Sequence, residues 1–254
     1  MGKNKKNKGQ AKGQSKPNYK KNKIHAAVSK PKKSKIPGDE CYGIKIKLQS
    51  PLHISSGNAD VNIDADVVHD AVGLPYFPAR RFKGLLYESM IEVAEMLDGT
   101  QSQAFHLAIK ELFQRVPNAK ARLILHDFYL FPEEDYRKNA AGWQHLQKVY
   151  PEIVTPESVL QEFTTLRYQT KIDPKTGTAA DTSLRTMRVL DAGLCFQGNI
   201  DLIGAEEIHR KLLFLGIKNL RRAGMNRNRG LGHIKCSIEG MDMDLDTALT
   251  EEVG

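Results

Sequence analysis

The alternation of apolar and polar residues predicts a β-strand that begins near residue 42. In residues 42–49 (YGIKIKLQ), every second position is apolar, and these positions are Tyr42, Ile44, Ile46 and Leu48. Because successive side chains of a strand point to opposite faces, this spacing places the apolar side chains on one face. The segment is therefore predicted to be a strand with one buried face.

Three later segments are predicted to be helices. The first begins at Arg80 and is expected to end at Gly99, and its apolar residues lie three or four positions apart at Phe82, Leu85, Leu86, Met90, Val93 and Leu97. A second helix is expected at about 102–115. The third covers residues 205–222, with acidic residues in its first turn and Arg221 and Arg222 at its end, an arrangement that the helix dipole favours.

The remaining apolar runs are typical of strands. They lie at residues 121–131, 187–193, 194–204 and 233–238, whereas residues 143–149 fit either a strand or a helix. Residues 163–185 are polar and contain a turn sequence at Asp173, which indicates a hairpin or a mobile loop.

Once the insertions are removed, the predicted order is strand, helix, strand, strand, helix, strand. This is the order of a ferredoxin-like, or RRM-like, βαββαβ core, so we expect an α+β protein with long insertions. One common use of this fold is RNA binding on the open face of its sheet.

The charge is concentrated in residues 1–38. This segment contains thirteen lysines, no arginine and no acidic residue, and the whole chain has a formal charge of +8, so residues 39–254 carry −5. Because the segment has too few large apolar residues to offset the entropy of ordering, residues 1–38 are predicted to be a disordered tail before a single domain at 39–254. Such a tail either binds phosphate backbones without sequence preference or is only a solvated extension.

Composition also indicates a compartment. No apolar stretch has the length of a signal-peptide core or of a membrane span, so we expect a cytoplasmic protein with no membrane partner. The three cysteines are odd in number and widely spaced, which argues against a disulfide framework and a CxxC metal site.

Residues 223–236 (AGMNRNRGLGHIKC) combine glycines with arginines between a predicted helix and a predicted strand. The glycines are Gly224, Gly230 and Gly232, and the arginines are Arg227 and Arg229. Glycines permit close approach to a backbone and arginines favour an anion, so the loop binds a nucleotide, binds a nucleic-acid backbone, or is a plain connection. Its sequence and its place after a helix exclude a phosphate loop and a dinucleotide fingerprint.

Residues 52–84 contain a second chemical signal. Asp60, Asp64, Asp66 and Asp70 lie close together beside His69, and carboxylates at this density either hold Mg²⁺ or form a solvated acidic loop. Further on, Pro75 and Pro78 precede a set of basic residues at the predicted helix start, namely Arg80, Arg81 and Lys83. Basic residues there oppose the helix dipole, which favours an anion site over plain exposed charge.

Four segments resemble the RAMP superfamily, the repeat-associated subunits of CRISPR effector complexes. GLPYFPARRFKGLL resembles its G-x-P-x-I-P-G-S-S-L-K-G segment, and RNRGLGHIKC resembles its glycine-rich loop. LHISSGNADVNIDADVVHD resembles the L-H-I-G-G … I-D-S-P-V-I-x-D loop of type III backbone subunits, and residues 170–193 resemble their projecting thumb. The four matches cover most of residues 43–240 in the family order.

The resemblance implies an antiviral subunit that associates with copies of itself along a guide CRISPR RNA, together with other effector subunits. The guide-binding residues it implies are His53, Arg80, Arg81, Lys83, Gly224, Arg227, Arg229, Gly230 and Gly232. The thumb, at about residues 163–190 and including Thr170 and Ile172, would displace one nucleotide of the duplex between the guide and a single-stranded target RNA.

In the cleaving members of the family, an aspartate of the I-D pair supports metal-dependent cutting of the target RNA. Here this pair is Ile63–Asp64, so the resemblance implies that Asp64 is a catalytic and metal-binding residue of an endonuclease that uses Mg²⁺ or another divalent cation. The chain departs from the family pattern at Arg80 and Arg81, which replace Gly and Ser, and at residues 55–56, where Ser-Ser replaces Gly-Gly.

Three other functions remain open at this point. The protein is a scaffold of the same complex that does not cleave, a metal-independent endonuclease that processes the repeat transcript, or an RNA-binding protein unrelated to CRISPR. The processing enzyme would use histidine acid–base chemistry, for which His53, His69 and His233 are the candidates.

Overall fold

The computed structural model describes residues 39–57, 63–97, 99–170, 172–173, 175–179, 183–227 and 229–250. The predicted disordered tail at 1–38 and Asp60 lie outside the described residues.

An antiparallel sheet and two helices form the centre of the protein. Strand β1 (Glu40–Leu48) lies between β7 (Cys195–Ile203) and β8 (Ile234–Glu239), and β3 (Arg122–Leu125) pairs with the other edge of β7. Helix α1 (Ala79–Glu95) follows β1 in the chain and α5 (Glu207–Asn219) follows β7. The predicted α+β class with a ferredoxin-like βαββαβ core is therefore confirmed.

The alternation in β1 has the predicted consequence. Ile44, Ile46 and Leu48 are each at most 1% exposed, whereas the lysines between them lie on the other face. Helices α1 and α5 belong to the same apolar core and touch closely at Gly216, where a Cβ would lie 2.7 Å from Cγ of Met90. A side chain at position 216 would therefore force the Met90 side chain to shift within the core.

The ends of the first two helices differ from the prediction. Helix α1 ends at Glu95, and Gly99, which was expected to stop it, is instead the first residue of α2 (Gly99–Leu112). Gly99 has a φ of +60°, so the chain changes direction there and a new helix begins. Arg221 and Arg222 also lie beyond the end of α5 rather than within it.

The predicted strand at 121–131 is divided in two. Strand β3 ends at Leu125, and the short β4 (Phe128–Tyr129) pairs with both β7 and β2 (Tyr76–Phe77). Between them, Asp127 uses Oδ1 to accept a hydrogen bond from the Ala79 amide at the start of α1, 2.7 Å away. The ambiguous residues 143–149 belong to helix α3 (Glu133–Val149), which contains no buried residue.

Residues 163–185, for which a hairpin or a mobile loop was predicted, include one strand of a hairpin. Strands β5 (Thr164–Gln169) and β6 (Arg185–Leu190) pair in antiparallel register as a separate two-stranded sheet, preceded by the short helix α4 (Pro156–Gln161). Beyond its base the hairpin carries exposed apolar side chains, among them Tyr168 and Leu184. Helix α6 (Leu245–Thr250) ends the described part of the chain.

Cys195 and Cys236 are free thiols, and burial raises the pKa of Cys236 to about 12, which makes this thiol unreactive at neutral pH. Among the described residues, no helix combines the length and the apolar character needed to cross a bilayer.

An ion pair between β1 and α5 predicts a pH dependence of stability. Arg210 donates to both oxygens of Glu40 at 2.7–3.0 Å, and this hydrogen bonding lowers the pKa of the Glu40 carboxyl. Because the pKa is lowered in the folded state, the stabilisation is complete above the unfolded value of about 4.3 and is lost as pH falls through the folded value. We expect Glu40→Gln to lower the free energy of unfolding by about 1 kcal/mol at pH 6.

Chemical denaturation at pH 6 and pH 3 measures this effect. The difference between the wild type and Glu40→Gln should shrink at pH 3, because this pH lies below the pKa of about 4.3 that the carboxyl has in the unfolded chain, where the stabilisation declines. A constant difference across both pH values would show that the ion pair is not its source.

Candidate nucleic-acid interface

Residues 50–57, here called the central loop, join the β5–β6 hairpin to the acidic segment, the described residues 63–70 that contain Asp64, Asp66 and Asp70. Leu52 and Leu190 of β6 exchange two backbone hydrogen bonds, of 3.0 and 2.8 Å. The Ile54 carbonyl accepts from the Val68 amide at 3.0 Å. The acidic segment and the base of the hairpin are therefore both held by main-chain atoms of one loop.

The central loop also contacts α1 and the glycine loop (residues 223–232). Arg81 Nη2 donates to the Ser55 carbonyl at 3.0 Å, and the Met225 amide donates to the His53 carbonyl at 3.1 Å. Three segments that are far apart in the sequence therefore meet here: the acidic segment, the start of α1 and the glycine loop.

Two of the three glycines are required by the protein's own backbone. A Cβ at Gly224 would lie 2.4 Å from the His53 carbonyl oxygen, and one at Gly232 would lie 1.9 Å from the Ala223 oxygen. Gly230 has a φ of +76° but nothing within 4 Å of its Cβ position. Contact of these glycines with a guide stays a prediction, and of the three only Gly230 has open space beside it.

Helix α1 and the glycine loop enclose a cleft of about 740 Å³. Its lining contains four exposed arginines, Arg221, Arg222, Arg227 and Arg229, so we call it the arginine cleft. The facing side of α1 contributes Glu88 and Glu92 to the lining. A concentration of guanidinium groups of this kind favours a phosphate-bearing ligand.

Sequence reasoning found Arg227 and Arg229 but missed Arg221 and Arg222. Both were interpreted as a favourable charge at the end of a helix, whereas α5 ends at Asn219 and the two arginines line the cleft. The useful signal was the density of arginine in residues 221–229, which exceeds what one helix end needs.

Contacts inside the arginine cleft are weak enough for a ligand to replace them. Arg227 Nη1 lies 3.5 Å from Glu88 Oε2, and both side chains are well exposed. An exposed pair at this distance contributes little, since solvent screens it. Arg222 Nη1 donates to the Arg227 carbonyl at 2.8 Å, which shapes the loop without using the Arg227 side chain.

The start of α1 differs from the predicted anion site. Arg80 and Arg81 are exposed, and Lys83 is half-buried with its Nζ 5.6 Å from the Phe113 ring centre. The Ala79 amide at the helix start already donates to the Asp127 carboxylate. An incoming phosphate would have to compete with this carboxylate, so the side chains of Arg80 and Arg81 offer the more accessible positive charge.

The described aspartates of the acidic segment have different roles. Asp64 is exposed, and its Oδ2 accepts from the Thr186 amide at 2.7 Å, which places it at the base of the hairpin. Asp66 pairs with the buried Arg188 at 2.9 Å, and Asp70 caps the turn that follows it. Asp64 is therefore the carboxylate of this group that is available to a ligand.

Few of the described side chains near Asp64 could bind a metal ion. Within the described ranges, no group of three or more His, Cys, Asp or Glu side chains is placed to hold one. Mg²⁺ commonly takes one or two carboxylates and completes its shell with water and phosphate oxygens. Asp64 fits such a cation only where the RNA supplies the remaining oxygen ligands.

His53 has a buried position. It is 0% exposed, and its Nδ1 donates to the Arg188 carbonyl at 2.7 Å. Its Nε2 has no hydrogen-bond partner among the residues that the structure describes. Guide contact by the His53 side chain stays a prediction, and this buried position does not support it.

The hairpin exposes residues suited to contact with bases. Thr170 and Ile172 are exposed, as are Tyr168 and Leu184, which sequence reasoning did not select. Aromatic and apolar side chains on a projecting element can stack on unpaired bases, and such stacking tolerates any sequence.

Comparisons with known proteins agree on a family and a fold. Residues 45–235 match the family model described as the RAMP superfamily. Two similar solved structures are chains of type III-B Cmr-beta. The one bound to cognate target RNA is 11% identical, with 78% of this chain and 97% of that chain covered and a TM-score of 0.55. The apo state is also 11% identical, with coverages of 79% and 97% and a TM-score of 0.55. No curated protein matches the chain.

Proposed function

The chain belongs to the RAMP superfamily, and from this premise we propose that it is a guide-RNA-binding backbone subunit of a type III CRISPR effector complex. In this proposal it also cleaves complementary target RNA with the assistance of a divalent metal ion. The observation that carries the proposal is the arginine cleft, which lies beside α1 and is linked through the central loop to the segment that bears Asp64.

The arginine cleft suits a guide whose sequence varies. Arginines that contact phosphates bind any sequence with similar affinity, so one protein serves many guides. Base pairing between guide and target then supplies the specificity. The similarity to Cmr-beta, for which a structure bound to cognate target RNA is known, supports extending a target-RNA partner to this chain.

The geometry near Asp64 suits cleavage of an unstacked nucleotide. The hairpin would separate neighbouring bases, and Asp64 lies at its base, hydrogen-bonded to Thr186. The ribose 2′-hydroxyl would then lose its proton to water, and its oxygen would form a bond to phosphorus while the bond from phosphorus to the 5′-oxygen breaks and that oxygen takes up a proton from water. The products are a 2′,3′-cyclic phosphate and a 5′-hydroxyl.

Asp64 would act by orientation in this reaction. The Thr186 amide fixes one oxygen of its carboxylate, so the charge is held in one direction without reorganisation during the reaction. A divalent cation bound there would neutralise charge on the phosphate.

A scaffold that does not cleave is the second candidate function. The observation that favours it is the single available carboxylate, Asp64, in a region where the described residues form no larger metal-binding cluster. The processing endonuclease receives less support from His53, which is buried and lacks the access that an acid–base catalyst needs, whereas His233 is exposed in the arginine cleft. The projecting β5–β6 hairpin, which resembles the thumb of backbone subunits, favours the backbone subunit over this enzyme.

Replacing Arg227 and Arg229 by alanine tests guide binding. If each arginine neutralises one phosphate, the double variant should reduce the slope of log K against log salt concentration by about 1.4, since each phosphate of a single strand contributes about 0.7. The loss of affinity should be the same for guides of unrelated sequence. Fluorescence titration of a repeat-tagged RNA over a range of salt concentrations measures both quantities.

The matched control removes the same charge elsewhere. Arg122 on β3 and Arg137 on α3 are exposed and lie outside the arginine cleft, so Arg122→Ala with Arg137→Ala should leave the slope nearly unchanged.

Sequencing of the RNA that copurifies with the wild-type protein should return repeat-derived guides. Equal slopes for both double variants, or copurified RNA without repeat sequence, would contradict the proposal.

A further inference from the structure

Arg188 is a charged side chain inside the protein. It is 1% exposed, and each part of its guanidinium group has an oxygen partner. Nε donates to Asp66 Oδ1 at 2.9 Å, Nη2 to Glu157 Oε1 at 2.5 Å and Nη1 to Thr164 Oγ1 at 3.3 Å. A buried charge costs much free energy when one of its partners is lost. The three partners are therefore held in place around the guanidinium group.

The partners of Arg188 belong to different parts of the chain. Asp66 lies in the acidic segment, Glu157 in α4 and Thr164 in β5, whereas Arg188 itself lies in β6. The Arg188 carbonyl also accepts the hydrogen bond from His53 of the central loop. One residue therefore joins the acidic segment to both strands of the hairpin and to the helix before it.

The Asp66–Arg188 pair lies next to the Asp64–Thr186 pair. Both lie where residues 64–66 of the acidic segment run parallel to residues 186–188 of β6, a short pairing that we call the ladder. The Asp64 amide donates to the Thr186 carbonyl at 3.0 Å, and the Arg188 amide donates to the Ala65 carbonyl at 3.0 Å. Ala65 and Met187 form the parallel bridge between these two contacts. A slip of this ladder by one residue would separate Asp64 from the base of the hairpin.

We propose that Arg188 is a positioning residue that fixes Asp64 relative to the hairpin and thereby determines which phosphodiester bond of the target is cut. This inference rests on the proposed function of Asp64. The hairpin selects the unstacked nucleotide and Asp64 acts on the adjacent phosphate, so the distance between these two elements determines the cleavage site. The planar, three-sided pairing of arginine is needed, and a lysine in its place would satisfy fewer partners.

Arg188→Lys and Arg188→Met test the proposal in the assembled complex with guide, Mg²⁺ and an end-labelled target RNA. Both variants should lower the cleavage rate at least tenfold and spread the cuts over neighbouring phosphates, while target affinity stays within twofold. In the protein alone, amide hydrogen exchange of residues 63–66 and 185–188 should become at least tenfold faster. Arg122→Met, which removes an exposed arginine on β3, should change none of these quantities.

The readouts separate positioning from plain stability. If Arg188 only stabilised the fold, the folded fraction of each variant would cut at the wild-type phosphate with unchanged local exchange, and the proposal would be overturned.

Should both Arg188 variants fail to fold, Glu157→Gln removes one partner and leaves the Asp66 pair. It should then show the same broadening of cut sites to a smaller degree, and unchanged cuts and exchange would again refute the proposal. If the wild type does not cleave, the proposed function fails, whereas the exchange experiment still decides whether Arg188 fixes the ladder.

Discussion

Replacing Asp64 by alanine should lower the rate of target RNA cleavage by at least about 100-fold, the scale expected for loss of a group that acts directly in the reaction. Asp66 and Asp70 cannot substitute for it, because one is paired with Arg188 and the other caps a turn. Target binding should stay within twofold, because the guide supplies the pairing. Single-turnover cleavage of a labelled target by the assembled complex, together with a binding titration, measures both effects.

Two further variants show which property of Asp64 is used. Asp64→Asn keeps the shape and an acceptor for the Thr186 amide but removes the charge, so it should be as inactive as Asp64→Ala. Asp242→Ala removes an exposed carboxylate from the segment after β8 and should cleave at the wild-type rate. Cleavage at the wild-type rate by a complex that contains Asp64→Ala would contradict the catalytic role of Asp64 and favour a scaffold beside a neighbouring subunit that cuts.

Replacing Gly232 by alanine should lower the free energy of unfolding by about 3 kcal/mol or more. The φ of +74° alone costs an alanine about 1–2 kcal/mol, and the added Cβ would overlap the Ala223 carbonyl oxygen at 1.9 Å. Relief of this overlap shifts the backbone at residue 232, and this weakens the contact with the central loop, where the Gly232 amide donates to the Pro51 carbonyl at 2.8 Å. Chemical denaturation of the purified protein gives the change in stability.

Gly230→Ala is the matched control for this prediction. Its φ of +76° is nearly the same, but its Cβ position is open, so only the backbone strain of about 1–2 kcal/mol is expected. RNA affinity should fall for Gly232→Ala even at temperatures where it remains folded, since the arginine cleft loses one wall. Equal destabilisation by the two variants would show that the overlap with Ala223 is relieved without cost.

The parts of the fold that follow from local patterns were predictable from the sequence. The alternation in residues 42–49 predicted β1 and its buried face, and the periodicity after residue 205 predicted α5. The ends of elements were less predictable. A glycine such as Gly99 is expected both after the end of one helix and before the start of the next, and here it begins α2. Its positive φ permits both.

The candidate site was predictable as a set of segments but not in its details. The sequence located the glycine loop and the acidic segment, yet it did not show that Gly224 and Gly232 lie against the protein's own backbone. It also did not distinguish Asp64 from Asp66, because only the fold brings Arg188 to one of them. These properties depend on contacts between residues that are far apart in the chain, which local patterns do not encode.

The central loop is held mainly through main-chain atoms, and this has an evolutionary consequence. The Ser55 carbonyl accepts from Arg81, and the Ser56 amide donates to the Asp66 carbonyl at 2.9 Å. Neither serine has a positive φ, so the Gly-Gly of the family pattern can drift to Ser-Ser without loss of these contacts. Natural selection can therefore retain the contacts of the central loop while its amino acids change. This agrees with a shared fold at 11% sequence identity.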